Sequence, residues 1–426
     1  MPARDSDWAR YPSLGELFPW QSPGVKANRT WVIAPDPDIL QHRWETLTGS
    51  SPDQRDTLLK ATRDRTADSV SMPLPGRPQS PGTLRAEMSR HPQIVPYAYR
   101  SFDRQYLILD TRVIDYPRPD LWTTEGPRQV FISEPHTNVI DDGPGLTFTA
   151  TVPDMDCFQG HHGGRVLPLY RDAAGTIPNI TPGLLSHLQE VLSREVNAED
   201  LLAYVAAVVA HPGYTRLFRE DLAIPGIRVP LSADHRVWDR AITIGRQVLS
   251  LHTFATRYAV PAPHQLTSPR PPEPDGPRIV QPIPYTAEEM PDTVRYDEQA
   301  RAICIGGTGQ VGPVPAAVWE YRVGGMRVAE KWIRYRLKNP RGRPAASPLN
   351  TINATTWSRP FNDDLLSLLH VLGQVVRLEP AQNAVLTGAC SGPVIDTLQL
   401  RESGVLPVAD SARRRWLHAT ASQQPL

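Results

Sequence analysis

The sequence predicts an α+β fold with a mixed or antiparallel sheet region, a central helical block and a C-terminal mixed α/β unit. Three observations lead to this prediction. Short β-favouring runs separated by Pro, Gly, Asn and Asp fill residues 94–172. Apolar residues recur at three- and four-residue spacing through residues 181–259, as they do along amphipathic helices. A proline-dense stretch without helical periodicity then precedes a second group of short strands and helices.

The chain is therefore divided into four parts. A domain usually holds roughly 100–200 residues, so 426 residues predict several subdomains. The parts are a mixed, strand-rich part over 1–172, a helical block over 173–259, a proline-rich linker over 260–293 and a C-terminal mixed unit with a basic helix over 294–426.

The first 90 residues predict short elements. The run TWVIA at 30–34 is typical of a strand, and a helix is predicted to follow with Asp36 as its N-cap and Pro37 in its first turn. Residues 51–65 begin with the same pattern, and residues 72–82 predict a loop.

A group of strands, a group of helices and a mixed group are predicted to follow in that order. Strands are predicted at 105–110, 128–133, 146–152 and 165–170. Helices are predicted within 181–194, 197–221 and 232–258, with Asn197 and Ser232 as candidate caps. Strands at 301–307 and 317–325, the basic helix, a polar loop and a helix at 362–379 complete the C-terminal unit.

Composition excludes several classes of protein. Lys and Arg together balance Asp and Glu, 45 against 45, and no apolar run approaches the roughly 20 residues of a membrane helix. The N-terminus carries no apolar signal region, so we expect a soluble cytoplasmic protein. The three cysteines are far apart and form no CxxC pair, which predicts buried thiols rather than disulfides or a zinc site. The four lysines, the excess of arginine and the 45 prolines are compatible with codon bias alone.

A glycine pattern at 307–312 matches GxGxxG. The dinucleotide-binding motif needs a helix directly after this pattern, which would aim its N-terminus at a pyrophosphate. Pro313-Val314-Pro315 follow instead, so a turn between two strands is predicted.

The other motifs of self-contained enzymes are absent. None of the four lysines follows a glycine, as a P-loop requires, and none stands two residues after a carboxylate, as in many metal nucleases. HExxH and the Asn/Asp-Pro-Pro-Tyr/Phe loop of adenine methyltransferases are missing, and residues 388–392 lack the spacing of a nucleophile elbow. His161-His162 has no acid or third histidine nearby, which favours a glycine-rich turn over a metal site. We therefore expect no catalytic residue, metal or cofactor on this chain.

Positive charge is concentrated between Glu320 and Arg343, where eight Lys or Arg accompany two acidic residues. The opposite face of the predicted helix is apolar, apart from Arg336, which must reach solvent or find a partner. Four cations on one face repel one another, and a polyanion would remove that repulsion. At about 100° per residue, one narrow helix face carries these four cations: Arg327, Lys331, Arg334 and Lys338.

A polar loop follows at 339–357. It joins Arg341 and Arg343 to a run of Asn, Thr and Ser that includes Asn350 and Asn353. Such side chains contact phosphates, and Asn and Arg can also pair with adenine and guanine edges. The pattern predicts phosphate contacts from the helix and base contacts from the loop. A solvated surface helix without a ligand is the alternative.

The stretch YRSFDRQY at 99–106 adds two candidate DNA-contacting residues, Arg100 and Arg104. Its aromatic residues equally suit a core, and Asp103 could form a structural ion pair with either arginine. Both interpretations remain open at this point.

Six stretches occur in an order found in a known family: 13–30, 97–122, 201–222, 224–231, 319–357 and 378–386. They resemble the C-terminal target-recognition region of type ISP restriction–modification enzymes, large polypeptides with nuclease, translocase, adenine methyltransferase and specificity parts. Ser101 stands where the Tyr-Arg-Pro-Phe-Asp-x-Arg block of the family has proline. No methyltransferase, helicase or nuclease segment is recognisable in this chain.

The resemblance implies recognition of double-stranded DNA that directs an adenine-specific methyltransferase, in a restriction–modification or phage-defence system. The catalytic activities, with S-adenosylmethionine as cofactor, would then belong to a separate methyltransferase or translocase chain. A non-catalytic scaffold that docks such a chain is the alternative, and an independent methyltransferase is disfavoured by the missing catalytic loop.

Overall fold

The computed structural model describes residues 7–137, 139–140, 142–158, 164–258, 276–340 and 347–414. Within them the chain forms 13 α-helices and 13 strands, and every pair of neighbouring strands is antiparallel. The predicted α+β class is therefore confirmed.

The N-terminal part contains two sheets, with strand orders β2-β4-β3 and β1-β7-β5-β6. Its elements are α1 (Leu14–Leu17), β1 (Ser22–Pro23), β2 (Ile33–Ala34), α2 (Pro37–Gly49), α3 (Arg55–Leu59), β3 (Ile94–Arg100), β4 (Asp103–Ile108), α4 (Pro119–Thr123), β5 (Phe131–Pro135), β6 (Thr147–Thr149) and β7 (Gly164–Pro168).

Local patterns predicted the start of α2 correctly and the neighbouring elements less well. Asp36 caps α2 by accepting a hydrogen bond from the backbone N of Asp38, and Pro37 occupies the first turn. Only the last two residues of the strand predicted at 30–34 are extended, and the helix predicted within 51–65 is limited to α3. That helix ends where Lys60 adopts a left-handed conformation, with φ of 57°.

The helical block comprises α5 (Leu184–Leu192), α6 (Ala198–Val209), α7 (Pro212–Leu217) and α8 (His235–His252). Asn197 caps α6 as predicted, in a reciprocal capping box with Asp200. The cap predicted at Ser232 is wrong: Asp234 caps α8, and the Ser232 hydroxyl accepts a hydrogen bond from the backbone N of Asp234. α6 is buried on almost every side, as expected for a helix that is apolar all round.

The C-terminal unit is built on a four-stranded sheet of order β8-β11-β10-β9. β8 lies within the range predicted as a linker. The elements of the C-terminal unit are β8 (Arg278–Gln281), β9 (Val294–Asp297), β10 (Ala302–Ile305), β11 (Gly309–Gly312), α9 (Ala316–Trp319), β12 (Arg322–Val323), β13 (Met326–Arg327), α10 (Val328–Arg334), α11 (Arg359–Ser391), α12 (Thr397–Glu402) and α13 (Asp410–Arg413).

Three further predictions can be compared with this unit. The glycine pattern at 307–312 forms the turn and second strand of the β10–β11 hairpin, so a strand-to-strand turn is confirmed. The strand predicted at 317–325 is wrong in its first half, which belongs to α9. The helix predicted at 362–379 is part of the much longer α11, whose N-terminal half packs in the C-terminal core and whose C-terminal half packs in the helical core.

Composition also predicted buried thiols and the absence of membrane-spanning helices. All three cysteines are free thiols; Cys157 is buried as predicted, whereas Cys304 and Cys390 are only half-buried. No helix in the described ranges combines the length and apolarity needed to cross a membrane.

His252, at the end of α8, should make the fold sensitive to acid. Its Nδ1 accepts a hydrogen bond from the backbone N of Phe148 at 3.3 Å, and burial beside Phe102 and Phe148 lowers its pKa to about 3. In the unfolded chain this histidine has its ordinary pKa of about 6.5 and gains a proton below that pH. The contribution of the buried, neutral ring to stability is therefore fully present above about pH 6.5 and is lost as the pH falls. The free energy of unfolding measured in urea should therefore be lower at pH 5.5 than at pH 7.5, and His252 should account for about 1.4 kcal/mol of this difference.

Two variants isolate this contribution. His252→Gln retains an acceptor for Phe148 but cannot gain a proton, so its unfolding free energy should depend less on pH over this range. His235→Gln changes an exposed histidine at the other end of α8 and should retain the wild-type dependence. An unchanged pH dependence in His252→Gln would contradict the prediction.

Candidate nucleic-acid interface

The basic segment, defined as residues 327–338, differs from the continuous helix that the sequence predicted. α10 ends at Arg334, and Arg327 is its N-cap. Lys338 lies beyond the helix, where its backbone N donates to the carbonyl of Pro291 at 2.7 Å. The prediction of four cations on one helix face is therefore wrong. Beyond the end of α10, Arg336 turns inward, and Pro340 disfavours helical backbone at Asn339.

Two arginines of the basic segment are paired with an acid that lies between them. Glu330 accepts hydrogen bonds from Arg327 at 3.3 Å and from Arg334 at 2.6 Å, and Arg327 also reaches Glu320 at 2.8 Å. Burial alone would raise the pKa of Glu330, but the hydrogen bonds from the two arginines outweigh it and hold that pKa below its usual value. Each arginine side chain remains 34% exposed, so both can reach a ligand from this surface.

Lys331 belongs to a row in which two tyrosine rings lie between two cations. The Nζ atom of Lys331 lies 5.0 Å from the centroid of the Tyr335 ring, and the Tyr335 and Tyr99 rings are 5.3 Å apart. The guanidinium of Arg100 lies 4.0 Å from the centroid of the Tyr99 ring. Burial, followed by the nearby charges of Arg100 and Arg334, lowers the pKa of Lys331. The row joins the basic segment to the β3–β4 hairpin.

Arg336 connects the same two elements through a buried ion pair. Its Nη2 lies 3.0 Å from Oδ1 of Asp103, with side-chain exposures of 1% and 3%, and its guanidinium stacks over Trp332 at 3.5 Å. The sequence required Arg336 to reach solvent or find a partner, and it finds a partner. The ion pair predicted between Asp103 and Arg100 or Arg104 is wrong, because Arg336 occupies that position.

Arg100 and Arg104 lie in different environments. Arg100 is 13% exposed and pairs with Asp154 at 3.1 Å, a geometry that favours a structural role. Arg104 is 43% exposed; its guanidinium lies 3.9 Å from the Phe254 ring and 3.7 Å from Asp364. The carbonyl of Arg104 lies 3.5 Å from Nη2 of Arg336, so Arg104 adjoins the basic segment.

The polar loop is anchored to the N-terminal part of the protein. Leu349 is fully buried in the N-terminal core, and the Ser347 hydroxyl donates to the carbonyl of Leu58 at 2.5 Å. Asn350 Oδ1 accepts from the Thr30 hydroxyl at 2.9 Å. Asn353 Oδ1 accepts from Arg43 at 3.0 Å, and its Nδ2 donates to the carbonyl of Asn350 at 3.0 Å.

Some predicted residues fall outside the part of the chain that the structure describes. They are Arg341, Arg343, His161 and His162. In the described ranges, no group of three or more His, Cys, Asp or Glu side chains could hold a metal ion.

The sequence and the fold of this chain resemble those of known proteins. The family model of the Type ISP C-terminal specificity domain matches residues 16–368, most of the chain. The chain belongs to this family. Membership confirms the resemblance found in the sequence and supports a target-recognition role. No curated protein matches the sequence.

Three solved structures share the fold of this specificity domain, and each of them matches 89% of the present chain. The cryo-EM structure of a DrdV–DNA complex is 19% identical with a TM-score of 0.61. A nuclease-deletion mutant of the Type ISP enzyme LlaGI with a DNA substrate mimic is 17% identical with a TM-score of 0.55. The ATP-dependent Type ISP enzyme LlaBIII bound to DNA is 17% identical with a TM-score of 0.59. The specificity domain spans only 38%, 29% and 24% of those chains, respectively.

Sequence reasoning missed two residues that organise the candidate interface of the specificity domain. Glu330 has a local signal, because it stands three residues after Arg327 and four before Arg334, spacings that bring side chains together on a helix. Arg43 has none, since 310 residues separate it from Asn353.

Proposed function

We propose that this specificity domain recognises a sequence in double-stranded DNA and directs an adenine-specific methyltransferase on a separate chain. The setting is a cytoplasmic restriction–modification or phage-defence system. The observation that carries the proposal is the arrangement of the basic segment, Arg104 and the polar loop. The segment and Arg104 adjoin at the hairpin, and the loop is fixed to the N-terminal core. Cations on folded elements offer a defined surface to a duplex, as recognition requires.

Phosphate contacts are assigned to the accessible cations of this surface. Arg327 and Arg334 would exchange the carboxylate of Glu330 for phosphate oxygens, which guanidinium groups bind with two parallel hydrogen bonds. Lys331 and Lys338 would add single-point contacts. Such contacts position a protein on DNA without reading its sequence.

Base contacts are assigned to the polar loop. Asn350 and Asn353 present amide groups from a turn whose backbone is fixed by Leu349, and Arg341 and Arg343 precede them in the chain. Amide and guanidinium groups can distinguish base edges in the major groove. The chain itself would need no cofactor, and S-adenosylmethionine would bind to the methyltransferase chain.

The scaffold alternative assigns the same surface to a protein partner. The pairing of Arg327 and Arg334 with Glu330 lowers the net positive charge of the basic segment and so reduces its attraction for a polyanion such as DNA. In that case the surface would contact an acidic face of a protein partner.

A selection experiment on the purified chain separates the two functions. The chain is incubated with duplexes that carry a randomised central stretch, and the bound fraction is sequenced over several rounds. Enrichment of one sequence without any partner chain supports target recognition. Recovery of an unenriched library would overturn the proposal in favour of the scaffold.

A further inference from the structure

Arg43 is a buried cation that no carboxylate neutralises within the described part of the chain. It projects from α2, is 5% exposed, and burial lowers its pKa to about 10, so it remains charged at neutral pH. It donates to the carbonyls of Trp31 at 2.9 Å, Ile33 at 3.0 Å and Ile352 at 2.9 Å, and to Oδ1 of Asn353. Two of its four partners therefore belong to the polar loop.

Arg43 also fixes which way the Asn353 amide faces. A guanidinium can only donate hydrogen bonds, so it must meet the oxygen end of the amide. The Nδ2 end then points away from Arg43, towards the carbonyl of Asn350. One of its two hydrogens is used in that bond, which leaves the other as a donor on the loop.

The loop does not need this charge simply to stay attached. Leu349 is buried in the N-terminal core, and Ser347 and Asn350 bond to Leu58 and Thr30. Burying a charge is costly, and apolar packing of similar volume is often at least as stabilising. What Arg43 adds beyond attachment is a defined orientation of one amide.

We propose that Arg43 is a positioning residue for target recognition, which holds Asn353 so that an amide N–H faces an acceptor atom on a base edge. This inference rests on the proposed function. The acceptors that a duplex offers in its major groove are N7 and O6 of guanine, N7 of adenine and O4 of thymine.

Arg55 provides a matched control. It is 3% exposed and, among the described residues, its side chain bonds only to backbone carbonyls, including those of Thr48, Leu84 and Glu87, which lie outside the polar loop. Arg55→Met removes a buried arginine from the same part of the protein without touching Asn353.

The test is a double-mutant cycle on the full chain with the duplex enriched from the randomised library and a scrambled duplex of equal length. The measured quantity is the ratio of the two affinities. Arg43→Met and Asn353→Ala should each reduce this ratio about tenfold, and the double variant should lose little more than either, because both changes remove one contact. The salt dependence of scrambled-duplex binding should be unchanged, and Arg55→Met should keep the wild-type ratio.

A ratio within about twofold of wild type in a folded Arg43→Met protein, or fully additive losses in the cycle, would overturn the positioning role. If Arg43→Met fails to fold, Arg43→Lys keeps the charge but not the forked geometry, and it should show the same coupling to Asn353. Failure of the wild-type chain to enrich any duplex would instead refute the proposed function itself.

Discussion

Replacing Arg336 by methionine should reduce the free energy of unfolding by about 3–5 kcal/mol. The change leaves the carboxylate of Asp103 buried at 3% exposure with Gln105 as its remaining side-chain hydrogen-bond donor among the described residues. Burial already disfavours the charged forms, since it raises the pKa of Asp103 and lowers that of Arg336. Urea denaturation at neutral pH measures the loss.

Two comparisons show whether the loss comes from the stranded charge. The double variant Asp103→Leu/Arg336→Met removes both charges and should recover most of the stability, because apolar replacement of a buried pair is often close to neutral. Arg359→Met breaks an exposed pair with Asp363, whose side chains are 90% and 70% exposed, and should cost less than about 1 kcal/mol. A loss of that small size in Arg336→Met would show that the ion pair does not hold the junction, meaning the contact between the basic segment and the β3–β4 hairpin.

The junction matters because the turn of the β3–β4 hairpin contacts both the C-terminal and the helical parts. Phe102 in this turn lies 6.1 Å from the ring of Tyr321 and 4.6 Å from that of His252. Asp103 follows it and binds Arg336. The same turn therefore sets where the basic segment stands relative to the N-terminal sheets.

Elements with local signals could be predicted from the sequence, and long-range pairings could not. The cap at Asn197 and the hairpin at 307–312 follow from neighbouring residues, whose chemistry suffices to specify them. The partner of Asp103 is 233 residues away, and local pattern could not identify it. A trace was nevertheless visible, since Arg336 is a cation among apolar positions and had to be satisfied by something.

The candidate site shows the same division. The concentration of charge at 327–338 was evident from the sequence, but its extent as a helix was not, because helix ends depend on contacts such as that between Lys338 and Pro291. The polar composition of the loop predicted contacts with DNA but not the place where the loop attaches. Leu349 anchors the loop in the N-terminal core, and the partners of this one apolar residue lie far away in the sequence.

Alanine substitution of the four cations Arg327, Lys331, Arg334 and Lys338 should weaken duplex binding on the order of a thousandfold at about 0.1 M salt. The estimate treats each cation as one phosphate contact that releases counterions, which gives a log–log salt slope of about −3.6 for the four together. Mobility shifts across a salt series measure both quantities. The slope of the quadruple variant should be flatter than that of wild type by this amount.

The loss of four positive charges would weaken binding to DNA wherever the charges lie, so the control must remove the same number at another site. Four exposed arginines of the helical block and the C-terminal region can be replaced by alanine to remove the same charge elsewhere: Arg236, Arg240, Arg401 and Arg413. This variant should retain most of the affinity and the wild-type slope. Equal losses in the two quadruple variants would show that the basic segment makes no specific contact.

Glu330→Gln should change binding in the opposite direction. In the free protein, Glu330 holds both Arg327 and Arg334, and phosphate must compete with its carboxylate for them. Removing the negative charge should therefore raise duplex affinity and steepen the salt slope, even though it removes two surface ion pairs that contribute little to stability. If the two arginines faced an acidic protein rather than DNA, the same change would leave duplex affinity unaltered. This substitution therefore distinguishes a carboxylate that competes with the duplex from one on a surface that does not contact DNA.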